Sequence, residues 1–207
     1  ITGAEGYVFH NGHCVIHNNK RDKFGLIDKK GNWMLKAEYD AILPKDSFFV
    51  VNKGGMQSVL TENLKQILPF MEADLWISGN SITATMKDHT LRKYNLQGEL
   101  IDDFLISNVD RLLYDTDEIR YTTAKNYDDE GNLTGETAEA EPTPYQKTAN
   151  CKKYEADIGW YGLMSPSGKV ITPPRYCDIT AIGYDLYLCK TDDIRGEVLN
   201  GKGVRVR

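Results

Sequence analysis

Phe24-Gly25-Leu26-Ile27-Asp28-Lys29-Lys30-Gly31-Asn32-Trp33-Met34-Leu35 is the stretch that decides the fold. Phe24 to Asp28 has the composition of a strand, Lys29-Lys30-Gly31-Asn32 that of a turn, and Trp33 to Lys36 that of a second strand. Tyr39 to Ile42 and Phe48 to Val51 read as a third and a fourth strand. The same order returns 137 residues later without a gap, as Tyr161-Gly162-Leu163-Met164, Gly168-Lys169, Val170-Ile171, Tyr176 with Ile179, and Leu186-Tyr187-Leu188 with Lys190. A self-match of about 30 residues marks a repeat protein. Gly31 and Gly168 fall where a hairpin turn needs positive φ. Gly25 and Gly162 fall inside strands, where a missing side chain marks a bulge or a close backbone approach. Tyr39 and Tyr176 follow a loop and are expected to fill the seam between neighbouring repeats.

The offset of 137 equals four steps of about 34, a repeat-sized period. Turns are therefore expected near residues 31, 63, 98, 131, 168 and 201, and Gly31, Asn63, Gly98, Gly131, Gly168 and Gly201 stand there, in steps of 32, 35, 33, 37 and 33. Val59-Leu60, Ile67-Leu68 and Leu75-Trp76-Ile77 supply a second copy, and Tyr94, Leu100-Ile101, Ile106 and Leu112-Leu113-Tyr114 a third. Thr61 to Leu68 and Ser107 to Tyr114 have some helical character, but the repeat frame accounts for both as strands. The expected fold is all-β: tandem repeats of about 34 residues in one domain over 1–207, five or six of them forming a small β-propeller-like array. An open β-solenoid or barrel-like stack is the alternative.

The motif Phe24-Gly25-Leu26-Ile27-Asp28-x-x-Gly31 with Tyr39-Asp40-x-Ile42 resembles the WG repeat, also called KWG repeat, of bacterial proteins. So does Tyr161-Gly162-Leu163-Met164-x-x-x-Gly168-Lys169-Val170-Ile171-x-Pro173-x-x-Tyr176-x-x-Ile179, with Phe24 and Tyr161 in place of the usual Trp. The resemblance implies an all-β repeat array of the kind common in secreted and surface proteins of bacteria. It carries no catalytic residues across.

Composition narrows the partners. With 41% hydrophobic residues and 7 prolines in 207, the chain is globular rather than disordered. A net charge of −5, with bases scattered among acids, argues against nucleic acid. No apolar run reaches the length of a transmembrane helix. The chain starts at Ile1, so either a leader has been removed or the sequence is trimmed; with the family resemblance, a cell-envelope or secreted location is the expectation. Residues 115–145 are the outlier: Asp115, Asp117, Glu118, Asp128, Asp129, Glu130, Glu136, Glu139 and Glu141 meet only Arg120 and Lys125, before Pro142-x-Pro144. This reads as an acidic, solvated excursion from the fourth repeat, with a looser calcium site or an acidic docking surface as lesser alternatives. Asn126-x-Asp128-x-Glu130-Gly131 fails as an EF-hand loop because Thr137 stands where the closing Glu belongs.

Reactive residues are few. Residues 6–17 read as a hairpin turning at Asn11-Gly12. His10, His13, Cys14 and His17 lie on it, but strand spacing lets only two of them converge, so no metal site is assigned. Cys14, Cys151, Cys177 and Cys189 show no CxxC spacing and read as buried thiols, with Cys177–Cys189 the most plausible pair were a disulfide present. No nucleophile motif or phosphate loop occurs. Asp28, Asp40 and Asp178 hold repeat-defined positions and are read as turn and cap residues. The expected function is a non-catalytic binding or scaffold module with a protein or glycan partner and no cofactor. Trp33, Trp76, Trp160 and Tyr161 are the candidate contacts, although burial is the default for each. The alternative is a carbohydrate-active hydrolase, or a glycan-binding protein, using acidic and aromatic residues on one face of the array.

Overall fold

The computed structural model describes residues 4–6, 8–141 and 143–206; Tyr7 of the first hairpin, Pro142 of the Pro-x-Pro step and Ile1 lie outside them. It contains strands and turns and, among the described residues, no helix. The chain forms two compact units, residues 1–105 and 106–207.

The first unit is three four-stranded antiparallel sheets in succession. The first holds β1 (Ala4–Gly6), β2 (His13–Asn18), β3 (Lys23–Asp28) and β4 (Trp33–Tyr39). The second holds β5 (Ala41–Lys45), β6 (Phe48–Lys53), β7 (Met56–Thr61) and β8 (Gln66–Met71). The third holds β9 (Ala73–Ser78), β10 (Ser81–Met86), β11 (Leu91–Asn95) and β12 (Leu100–Leu105). Each is a meander in chain order, and each passes from its last strand to the first strand of the next, as propeller blades do. Thr61 to Leu68 is a hairpin within the second sheet.

One expected strand is cut in two. Tyr39 ends the first sheet and Ala41 begins the second, so Tyr39 to Ile42 is a crossing between sheets. Asp40 makes the crossing: its amide donates to the Asn52 carbonyl at 2.8 Å, and its carboxylate accepts from Lys23 and from the Gly54 amide. The sequence repeat therefore joins the outer half of one sheet to the inner half of the next.

Apolar side chains between successive sheets form the core. Val15 and Leu26 of the first sheet meet Ile42, Phe49, Val51 and Leu60 of the second. Val50, Val59 and Leu68 of the second meet Leu75, Ile77, Ile82 and Ala84 of the third. A sheet buried in this way on its two faces explains the continuous apolar run Phe48-Phe49-Val50-Val51.

The second unit repeats the plan with an insertion. β13 (Asn108–Asp115), β16 (Gln146–Glu155) and β17 (Tyr161–Met164) form one sheet, and the isolated bridges Met164↔Val170 and Tyr161↔Tyr176 continue it. Pro173 and Pro174 lack amide donors, which leaves bridges in place of a full outer strand. β18 (Asp178–Gly183), β19 (Leu186–Lys190) and β20 (Gly196–Asn200) form the next sheet, extended by Leu199↔Arg205. Tyr176, Tyr187, Cys151, Cys189, Leu163 and Ile179 fill the core between them. β14 (Tyr121–Tyr127) and β15 (Leu133–Ala140) form a separate two-stranded ribbon inserted between β13 and β16.

The repeat turns share one chemistry. Gly31, Leu64, Gly98, Gly168 and Gly203 hold positive φ, and the amide of each donates to a carbonyl three residues back, at Asp28, Thr61, Asn95, Ser165 and Asn200. The side-chain oxygen of that earlier residue accepts from the amide four residues on: Asn32, Lys65, Glu99, Lys169 and Val204. The second turn thus pivots on Leu64 beside Asn63, and the last on Gly203 rather than Gly201. Gly131 has the same turn, with Asp128 accepting from Asn132, but it caps the tip of the inserted ribbon. The even step from 98 to 131 to 168 is one repeat plus an insertion, not two repeats.

Burial sets the alkaline limit of the second unit. It pushes the phenols of Tyr154 and Tyr187 well up, Tyr176 up to about 12, and the Cys189 thiol up to about 12. In the unfolded chain these phenols ionise near 10 and the thiol near 8.5. The neutral groups contribute stability that is complete below those values and is lost as pH rises through them toward 12. Urea melts should show stability falling from pH 9 to pH 11.5, with Tyr187→Phe giving a shallower decline. A decline as steep in Tyr187→Phe as in the unsubstituted protein would remove Tyr187 from this account.

Candidate functional site

Alternation along β9 puts Ala73, Leu75 and Ile77 in the core and Asp74, Trp76 and Ser78 in solvent. Trp76 is 68% exposed, against the default of burial. Its strand is held from behind: Gln57 on β7 accepts from the Leu75 amide at 2.8 Å and donates to the Asp74 carboxylate at 3.0 Å. The indole is therefore displayed on a fixed backbone rather than on a loop.

β5, the first strand of the preceding sheet, places Leu43 and Lys45 on one face, and Leu43 is 61% exposed. The Lys45 ammonium stands 5.9 Å from the centre of the Trp76 ring, within the range of a cation–π contact. Pro44 on the same strand is also exposed. Beside them opens a groove of about 340 Å³ lined by Val8, Val15, Phe24, Ala41, Ile42, Leu43 and Pro44. Its walls are apolar, and its volume lies in the range of ligand and anchor-residue pockets. Leu43 and Lys45 are not among the sequence candidates. Ala41 to Lys45 shows no clean alternation, so nothing in the sequence marks which side of it faces water.

The other candidates lie elsewhere. Trp33, 40% exposed on β4, borders a polar hollow with Asn18, Arg21, Lys36 and Glu38. Trp160 and Tyr161 belong to the second unit and are half-buried. Trp160 closes a turn, its amide donating to Asp157 at 2.9 Å and its carbonyl accepting from Ala156 at 3.2 Å. Tyr161 packs under the Lys153 ammonium, 4.6 Å from the ring centre. Tyr39 is half-buried against the core between the first two sheets, and Tyr176 is fully buried, its hydroxyl donating to Glu197 at 2.8 Å.

The histidines disperse. His10 and His13 bridge across the Asn11-Gly12 turn, with the His10 ring at the Asp46 carbonyl and the His13 ring edge-on to Phe49. His17 pairs with Asp22 at 2.9 Å. Among the described residues no group of three His, Cys, Asp or Glu side chains could hold a metal. Cys14, Cys151, Cys177 and Cys189 are free thiols. Asp28 and Asp40 are held below the usual carboxylate range by hydrogen bonds, to Asn32 and Lys23 first, and Asp178 lies 3.9 Å from Lys153. Among the described residues no helix is long and apolar enough to cross a membrane.

The description "WG containing repeat" names the family whose model matches residues 24–56 and 161–193. The chain is an all-β repeat protein with two segments that match this repeat, and each matched segment runs across a sheet-to-sheet crossing. A comparison with curated proteins finds no match. Among solved structures, the chain is similar to the computationally designed Ika8 protein, at 16% identity, 98% of this chain, 75% of that one and a TM-score of 0.33. It is similar to Hsv2 of Kluyveromyces lactis at 10% identity, 97% and 63% coverage and a TM-score of 0.36. It is similar to BamB from Moraxella catarrhalis at 12% identity, 95% and 70% coverage and a TM-score of 0.31.

Proposed function

We propose that this β-repeat protein is a non-catalytic binding module whose first unit engages a protein partner through Leu43, Lys45 and Trp76. The observation that carries the reading is Trp76, held outward on a buttressed strand with Lys45 over its ring, while Leu43, two residues before Lys45, is exposed and lines an apolar groove. A rigid aromatic anchor flanked by apolar surface is what protein interfaces concentrate their energy on, Trp above all. The groove that Leu43 lines lacks the ring of polar donors and acceptors that a sugar requires, which favours a protein over a glycan.

Trp76→Ala should weaken partner binding by about 2 kcal/mol or more, roughly 30-fold, and change the melting temperature little because the ring is mostly in solvent. Proteins captured from native extract by the unsubstituted chain and by Leu43→Asp/Trp76→Ala can be compared by quantitative mass spectrometry. Loss of a specific protein from the variant's set is the expected result. Identical sets would reject this face. An oligosaccharide whose binding Trp76→Ala abolishes would move the reading to a glycan.

A further inference from the structure

The second unit carries an inserted ribbon that shares no residue with the Trp76 face. β13 and β16 need no insert. They stay paired up to Asp115↔Gln146, and Thr116 closes the end, its amide and hydroxyl both donating to the Tyr145 carbonyl at 3.0 and 2.7 Å. Beyond that point the chain leaves the sheet and builds β14 and β15, which among the described residues pair only with each other. None of residues 121–140 is buried. A two-stranded hairpin without a core is marginal by itself, and both of its outer edges present backbone groups open to a further strand.

One face of the ribbon carries the tyrosines. Its register sets Tyr121 opposite Ala140, Thr123 opposite Ala138, Lys125 opposite Glu136 and, past a bulge, Tyr127 opposite Leu133, so apolar groups flank one charged pair. Tyr121, Tyr127 and Leu133 are each more than half exposed. The charge is lopsided as well. Residues 115–141 hold nine acids and two bases, seven negative charges in excess, whereas the whole chain has five; the remainder is positive by two. Of its two bases, Arg120 stands over Tyr145, 3.4 Å from the ring centre, and Lys125 stands opposite Glu136 in the strand register. At the base of the ribbon a hollow of about 510 Å³ is lined by Asp115, Glu141, Thr143, Pro144, Tyr145 and Gln146.

We propose that this ribbon captures an extended, basic segment of another protein as a third strand, with apolar side chains on the tyrosine face and a Lys or Arg entering the hollow beside Asp115 and Glu141. Backbone pairing at an open edge supplies affinity, and side chains on alternate positions supply selectivity. Charge selects the occupant. Two copies of this chain would bring together two ribbons of the same strong negative charge, whereas a basic strand is attracted and steered in.

The test uses a labelled octapeptide of alternating Lys and Val, read by fluorescence anisotropy. Its controls are a Glu–Val octapeptide and a flexible Lys–Gly octapeptide of equal charge. The intact protein should bind Lys–Val at least tenfold more tightly than either control. Replacing residues 118–143 by Asn-Gly should abolish binding while the melting temperature stays within a few degrees, and Glu136→Gln/Glu139→Gln/Glu141→Gln should weaken it about tenfold. Amide exchange in the ribbon should slow on binding. Trp76→Ala should bind the peptide as the intact protein does, so failure of either site is read separately. Equal binding by the ribbon-less variant, or Lys–Gly binding as tightly as Lys–Val, would overturn strand capture. So would a dimer seen by sedimentation that vanishes when the ribbon is removed.

Discussion

Gly162→Ala should destabilise the second unit by about 3 kcal/mol, at the upper end of what overpacking a core costs. Gly162 lies directly across from Tyr154, and a methyl carbon placed on it would stand 2.5 Å from Cε1, Cζ and Oη of that ring. Tyr154 is fully buried, and its hydroxyl donates to the Thr172 carbonyl at 2.6 Å, so the ring cannot retreat without breaking a buried hydrogen bond. For a unit of this size the loss amounts to a drop in melting temperature on the order of 15 °C. The contact is with a side chain, which makes a double-mutant cycle informative. Gly162→Ala should cost little in a Tyr154→Leu background, and a full cost there would show that the ring is not the obstacle.

Gly25→Ala should cost the first unit about as much, roughly 3 kcal/mol, by a different route. The added methyl would lie 2.6 Å from the Leu35 carbonyl oxygen, 2.9 Å from the Ala37 nitrogen and 2.7 Å from Cζ3 of Trp33. Two of these three atoms are backbone, at the place where the β3–β4 register shifts. Strand β4 itself must move, so truncating Trp33 should not rescue the variant. Gly168→Ala makes a useful reference. A methyl there meets nothing within 4 Å, and only the φ of 90° opposes it, which costs on the order of 1 kcal/mol. Thermal melts ranking Gly168→Ala below either of the other two would contradict the assignment of the strand glycines to close packing.

These two glycines show how far sequence reading reaches. Gly25 and Gly162 sit in strands by local pattern, where a glycine is expected to mark a close backbone approach or a bulge. The structure assigns backbone approach and a bulge to the first and a tyrosine ring to the second. Which neighbour comes close was not legible, because Tyr154 is eight residues from Gly162 and meets it only through strand pairing. The surface site was half legible. Trp76 was a candidate by residue type, but its exposure depends on which side of β9 the third sheet packs, and Leu43 and Lys45 join it only because β5 and β9 begin neighbouring sheets.

The repeat turn is a local matter, and the sequence alone determined it: an oxygen-bearing side chain, then a residue of positive φ three positions on, closing on the amide that follows. The all-β class, the turns at Gly31, Gly98 and Gly168, and the acidity of residues 115–145 follow from such short-range rules. Short-range rules also explain why Gly131 reads as a repeat turn. Asp128-x-x-Gly131-Asn132 satisfies the turn chemistry as fully as Asp28-x-x-Gly31-Asn32, and an inserted hairpin needs the same turn as a repeat does. Only the tertiary structure decided that β14 and β15 stand apart from the repeat sheets, because that follows from β13 pairing with β16 across the whole insert, a hydrogen-bonded partnership between segments far apart in the chain.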